Sequence, residues 1–432
     1  MKTAVVLAGG GSKGAYEIGF YQAFEELKLS VDIVTGTSIG SLIGCLMVQD
    51  DFKVAYDLWD NMDISQVMNN GISINGNIDT LVSQTNRFIP FFKGYITHKG
   101  ADITPFKDMI ARLCDEEKAR KSPIDFGLVT VEYPSLQPVQ ITKSEMEEGM
   151  MKDYLLASAS CFPAFPVHEF NEKGYIDGGY YDNLPLRLAK KMGADRFILV
   201  DLNYKNPIHM EYMNRPNITY IIPSFDIGSF LDFDKKDIDH RIRLGYLDTM
   251  RAFQKYHGFR YTFSGGKRKS STSRTFYNMI LYLEAEINAG SIRKKIKAFN
   301  PQPLSENLRD FARKPYLEIE DYENAALEIC AQILEIDYLE IYSYSELRKL
   351  VLHEFTTYGE DSEEVLSTLT PANVLKIFSV MNSKQVMKIL YYHLIKSNFV
   401  LEPITIYTML GNELIAALYL YIQLNKKHLT AF

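Results

Sequence analysis

The stretch Ile33–Gly40, IVTGTSIG, constrains this chain more than any other. A buried-type apolar run enters a serine bracketed by glycines, and the small-residue stretch Ser41–Val48 leaves it. Gly36 and Gly40 leave room for a sharp strand-to-helix turn, which lifts one hydroxyl clear of a sheet and sets it at a helix N-terminus. Ser38 is the candidate nucleophile. A GxSxG pattern is short and takes its meaning from a strand–turn–helix context, which the flanking residues supply.

The same context extends upstream. Thr3–Ala8 is a continuous apolar run of the kind expected in a parallel strand covered on both faces. It runs into Gly9-Gly10-Gly11-Ser12-Lys13-Gly14. Tyr16, Phe20, Tyr21, Phe24 and Leu27 then recur at helical spacing, with Glu17, Gln22, Glu25, Glu26 and Lys28 on the other side. Val31–Thr35 is the next strand, so the first forty residues read as one βαβ unit ending at Ser38. Right-handed crossover places both glycine loops at the same carboxyl edge of the sheet. Further strands are expected at Phe126–Glu132, at Tyr175-Ile176 leading into Asp177-Gly178-Gly179, and at Phe197–Val200. Strands alternating with helices predict an α/β layer fold.

At 432 residues the chain has room for two or three domains, and 46% hydrophobic with 23% charged residues is an ordinary globular balance. Lys plus Arg total 47 against 54 Asp plus Glu, and the net charge of −7 argues against nucleic acid as the main partner. Cys45, Cys114, Cys161 and Cys330 are scattered without CxxC or Cys/His spacing, which reads as a reduced, cytoplasmic setting without structural zinc. Met1–Ala8 resembles a short secretory apolar segment, but it runs into glycines and an amphipathic helix and reads as a first strand. The best apolar run elsewhere, Leu414–Ile422, is too short to cross a bilayer, so any membrane contact is expected to be peripheral.

Gly265–Arg274 is rich in glycine, serine and positive charge and marks the clearest boundary. The expected division is a catalytic domain over 1–265, a linker over 266–274 and a helical domain over 275–432. Helix starts are expected at Ser343, in a capping box with Glu346, at Thr370 before Pro371, and at Ser383. His353, His393 and His428 lie far apart, and this half shows no reactive constellation; its partner is unknown. Asn69–Asn77 reads as a surface excursion. Arg87–Lys93 (RFIPFFK) reads as a loop packed on the core or as a lid facing lipid.

Several chemistries compete for the glycine loop. GGGSKG also satisfies GxGxxG, but a ribose-binding carboxylate should close the second strand, and Asp32 opens it. A P-loop fails because Lys13 precedes Gly14 instead of Ser or Thr. Asp232–Asp239 lacks the glycine and closing glutamate of a calcium loop. Read with Ser38, the amides of Gly9, Gly10 and Gly11 face the need of a tetrahedral oxyanion, and Lys13 adds positive charge beside them. The base is open between a histidine (His209, His240 or His257) and Asp177, which has the better setting, after an apolar pair and before two glycines. An aspartate is a weak base, so a Ser38/Asp177 dyad requires an oxyanion hole that stabilises most of the developing charge.

The three motifs in order, Gly9–Gly14, Gly36–Gly40 and Asp177-Gly178-Gly179, resemble those of the patatin-like phospholipase family. Asp102-Ile103-Thr104-Pro105, Ala157-Ser158-Ala159-Ser160 with Pro163 and Pro166, and Gly178–Pro185 (GGYYDNLP) are similar too, so the likeness covers about Met1–Phe263. Asp-Gly-Gly stands where many members have Asp-Gly-Ala. The resemblance implies a three-layer sheet flanked by helices, with Ser38 as nucleophile, Asp177 as base, and Gly10 and Gly11 among the oxyanion donors. It implies hydrolysis of lipid acyl esters, phospholipase A or lysophospholipase in type, with no metal or cofactor. A soluble carboxylesterase or thioesterase on the same site, and a scaffold acting through the helical domain, stand as alternatives.

Overall fold

The computed structural model describes residues 1–69, 102–266, 270–289, 302–359, 380–396 and 411–425. Most of Asn69–Asn77, the Arg87–Lys93 loop, Lys267–Lys269, the Thr370-Pro371 helix start and His428 lie outside these residues. The chain divides into two compact units, Met1–Lys255 and Tyr256–Phe432.

The first unit is built on strands β1 (Thr3–Leu7), β2 (Ile33–Thr37), β3 (Asp125–Tyr133), β4 (Pro138–Thr142), β5 (His168–Phe170), β6 (Lys173–Asp177), β7 (Arg196–Val200) and β8 (Ile218–Ile221). Their order is β5-β6-β3-β2-β1-β7-β8, with β4 also on β3. The β3-β2-β1-β7-β8 run is parallel, and its strands are apolar on both faces because helices cover both. The expected βαβ unit is present: β1, α1 (Gly14–Glu26), then β2. The two faces can be read from adjacent residues of β3. Phe126 lies against α2 (Ile39–Val48) at Gly44, while Gly127 lies against Leu188 of a short helix over Leu186–Lys191. Helix, sheet and helix therefore make three layers, as expected.

The register of β3 decides where the site forms. β4 occupies one edge of β3, opposite Gly127–Val131. On the other edge β2 runs parallel and ends with Thr37 opposite Val129, while β6 runs antiparallel and ends with Asp177 opposite Thr130. Two strands thus meet at their carboxyl ends, and the residues that finish them come together.

One expectation for α1 fails. Glu17 was assigned to a polar face but is fully buried, with burial holding its carboxyl well above the ordinary range. Its carboxyl lies within reach of the Ala8 backbone and of Asp201, at the carboxyl ends of β1 and β7. The helix Lys235–Ala252 packs on α1 at very close range through Tyr16 and Gly19. A Cβ on Gly19 would lie 2.0 Å from the Ile242 carbonyl oxygen, and one on Gly245 would lie 2.0 Å from that of Tyr16.

The second unit is helical, as expected, over Ser273–Ala289, Leu304–Ala312, Ile319–Ile333, Tyr344–Thr357, Ser383–Lys396 and Gly411–Leu424. The Ser343–Glu346 capping box forms, and Leu414–Ile422 is buried in this unit's core. The division falls at Lys255, before the expected position 265. The reason is Glu328, whose carboxylate accepts the backbone N–H groups of Phe259, Arg260 and Tyr261. Thr272 and Ser273, assigned to the linker, are likewise buried and donate to Glu323 at 2.6 and 2.5 Å. Among the described residues no helix is long and apolar enough to cross a membrane.

Candidate active site

Ser38 is the N-cap of α2 and follows β2 directly. Its backbone takes φ 53° and ψ −126°, a region that residues with a side chain rarely occupy. The turn closes so tightly that a Cβ on Gly36 would lie 2.2 Å from the Gly40 carbonyl oxygen, and one on Gly40 would lie 2.6 Å from that of Ala8. Ser158 holds the turn from below: its hydroxyl accepts the Ser38 N–H at 2.9 Å and donates to the Val129 carbonyl at 2.7 Å. Thr37 donates to the Asp182 carbonyl at 2.7 Å.

Asp177 closes β6, with its N–H on the Ser160 carbonyl at 2.9 Å and its carboxylate accepting the Gly179 N–H at 2.7 Å. A Cβ on Gly178 would lie 2.1 Å from the Val129 carbonyl oxygen, so a glycine must follow the acid for β6 to end where β2 ends. Burial pushes the Asp177 carboxyl up to about 6, and the Gly179 N–H and the Ser38 side-chain hydrogen bond pull against it. The acid is therefore largely ionised at neutral pH, yet a better base than an exposed aspartate. Among the described residues none lining the surrounding cleft is a histidine.

The glycine loop divides its work differently from expectation. Gly9 is anchored: its N–H donates to the Asn183 carbonyl at 3.0 Å, and its own carbonyl accepts the Asn183 side-chain amide at 3.0 Å. It has no N–H left for an oxyanion. Gly10 and Gly11 line the cleft with N–H groups that have no acceptor among the described residues. Gly11 takes φ +55°, and a Cβ there would lie 2.3 Å from the Phe230 carbonyl oxygen. Ser12, Lys13 and Gly14 continue through one 3-10 turn into α1, and Lys13 lines the cleft as well.

Three supporting residues were not singled out in the sequence. Ser158 and Asn183 stand inside segments that were, ASAS and GGYYDNLP. Arg241 was missed altogether. It is buried in the helix Lys235–Ala252 on a face with Ile238, Ile242 and Gly245. Its guanidinium donates to the carbonyls of Ile227 (2.7 Å), Ser229 (3.2 Å) and Asp232 (2.6 Å) and to the Ser12 hydroxyl (3.1 Å). Ser12 in turn gives its N–H to the Phe230 carbonyl at 2.8 Å. Arg241 thus ties the back of the glycine loop to the loop that buttresses it. A cation inside an apolar helical face is the signal that could have found it.

The cleft around Ser38 and Asp177 holds about 900 Å³. Its lining includes the apolar Trp59, Met62, Phe106, Met109 and Phe165 and the polar Asn203, Tyr204, Lys205 and Asp226.

Residues 5–190 match the patatin-like phospholipase family. The lysophospholipase NTE1 of Candida albicans is 25% identical over 307 residues, 59% of this chain and 20% of that protein. Patatin-like phospholipase domain-containing protein 7 of Rattus norvegicus is 26% identical over 212 residues, 47% of this chain and 14% of that protein. The chain thus spans a fifth or less of these curated relatives. Among solved structures, VipD from Legionella pneumophila aligns with a TM-score of 0.39 and 14% identity, covering 100% of this chain and 93% of that one. With its ordered motifs in a three-layer sheet, the segment 5–190 of this chain is similar to the patatin-like phospholipase family.

Proposed function

We propose that this chain hydrolyses carboxylic esters of lipids, as a phospholipase A or lysophospholipase, through a Ser38/Asp177 dyad. The observation that carries the reading is the meeting of two strand ends on one edge of β3, which sets a strained serine against a buried carboxylate. Asp177 accepts the Ser38 proton as Oγ attacks the ester carbonyl. The oxyanion gains the N–H groups of Gly10 and Gly11, each contributing about 3 kcal/mol to barrier lowering. As the tetrahedral intermediate collapses, the C–O bond breaks and Asp177 returns the proton to the leaving alcohol. Water, deprotonated by Asp177, then releases the acid from Ser38. The apolar lining residues Trp59, Phe106 and Phe165 suit an acyl chain, and the polar ones suit a headgroup. The relatives named as lysophospholipases favour a lipid ester over a small soluble one.

The test is fatty-acid release from vesicles of phosphatidylcholine and from lysophosphatidylcholine, set beside a short soluble ester. Release from lipid that Ser38→Ala abolishes supports the reading. Turnover confined to the short ester in a folded sample would make the chain a soluble esterase instead.

A further inference from the structure

Two cysteines that the sequence leaves far apart are brought together beside the active-site helix. Cys45 lies two turns into α2, whose N-cap is Ser38. Cys114 ends the helix Thr104–Leu113 as its C-cap. Both thiols are buried and line one small cavity, close enough for each to act on the other's ionisation. One side chain fixes the two backbones at this point. Gln49 of the α2 C-cap donates to the Leu113 carbonyl at 3.0 Å and accepts both the Asp115 N–H at 3.0 Å and the Cys45 thiol at 3.3 Å. The neighbouring Cys45 side chain, helped by Lys152, holds the Cys114 thiol below the ordinary value, whereas Cys114 and burial raise Cys45. The pair is thus asymmetric: one thiol ionises more readily, and the other faces it.

Both thiols line a small apolar cavity of about 30 Å³. Ile39, Trp59, Met62 and Met109 line this cavity and the cleft around Ser38 alike, so the two spaces share a wall.

We propose that Cys45 and Cys114 form an oxidation site, a dithiol that a peroxide closes into a disulfide, and that closure stiffens the cavity wall that long acyl chains press against. The Cys114 thiolate attacks one peroxide oxygen; the O–O bond breaks, leaving a sulfenic acid on Cys114 and a hydroxide that becomes water. The Cys45 sulfur attacks the Cys114 sulfur, the S–O bond breaks, and the departing hydroxide takes the Cys45 proton. Two thiols lose two electrons, and one hydrogen peroxide becomes two waters.

The linkage is read without any turnover, so it stands or falls apart from the hydrolase reading; the acyl-chain effect rests on that reading. Full-length folded protein is exposed to hydrogen peroxide, its remaining thiols are alkylated, and a non-reducing digest is mapped by mass spectrometry. The expected result is a Cys45–Cys114 cross-linked peptide that dithiothreitol removes and Cys114→Ser never forms. Turnover of a long-chain ester relative to a short-chain one should fall by about tenfold in the oxidised wild type, recover on reduction, and stay unchanged in peroxide-treated Cys114→Ser. Oxidation found only at Cys161 or Cys330, or a pair that stays reduced, would overturn the site. A mapped disulfide with an unchanged chain-length ratio would overturn its effect on acyl chains.

Discussion

At the scale of single residues, the proposed mechanism needs Asp177 ionised to accept a proton and buried to lie beside Ser38, and these demands oppose each other. Burial raises its carboxyl to about 6, and the Gly179 N–H and the Ser38 side chain limit the rise. The rate should therefore fall as pH drops through about 6, because protonated Asp177 cannot act as base; a plot of kcat/KM against pH checks this. The effect on stability has the opposite sense. A carboxyl raised in the folded state contributes stability below its unfolded value, and that contribution is lost as pH rises through about 6. A rise of this size corresponds to about 3 kcal/mol at pH 8. Asp177→Asn should lose at least about a thousandfold in kcat yet unfold at a higher temperature than wild type at pH 8. A variant with near-normal turnover would return the role of base to a histidine.

At the scale of elements, the glycine loop keeps its shape because the helix Lys235–Ala252 reaches it from below with Arg241. A lysine keeps the charge but cannot serve the carbonyls of Ile227, Ser229 and Asp232 together, and a buried acceptor left unmet costs about 1–3 kcal/mol. Arg241→Lys should lower the melting temperature and reduce kcat by about tenfold or more, with KM little changed; an unaltered kcat would leave Arg241 with a purely structural task. Most of the elements around the site were legible in the sequence. The runs Thr3–Ala8 and Phe197–Val200, the elbow at Ser38 and the turn at Asp177 all carry local patterns that tertiary contacts reinforce. What stayed hidden depends on partners distant in the chain. Glu17 reads as solvent-facing until the fold sets it beside Ala8 and Asp201, at the ends of β1 and β7. Gly9 reads as an amide donor until Asn183 takes its N–H. Neither pairing leaves a periodic signal.

At the scale of the whole molecule, Ser38, Asp177, the glycine loop, Asn183 and Arg241 all belong to the unit Met1–Lys255. A fragment of those residues, if folded by circular dichroism, should keep its reaction with a fluorophosphonate at a rate within about threefold of the full chain. The sequence placed the boundary late because Gly265–Arg274 has a linker's composition, whereas Glu328 and Glu323 draw residues on both sides of it into the helical unit. Composition reports local flexibility and not which carboxylate a backbone will meet. The central claim is that Ser38, activated by Asp177, is the nucleophile. Its most direct test is labelling of full-length wild type, Ser38→Ala and Asp177→Asn with a fluorophosphonate, followed by peptide mapping of the adduct. One adduct on Ser38 in the wild type, none in Ser38→Ala and a strongly slowed reaction in Asp177→Asn is the predicted result. Labelling that persists in Ser38→Ala, or its absence from a folded wild type, would contradict the claim.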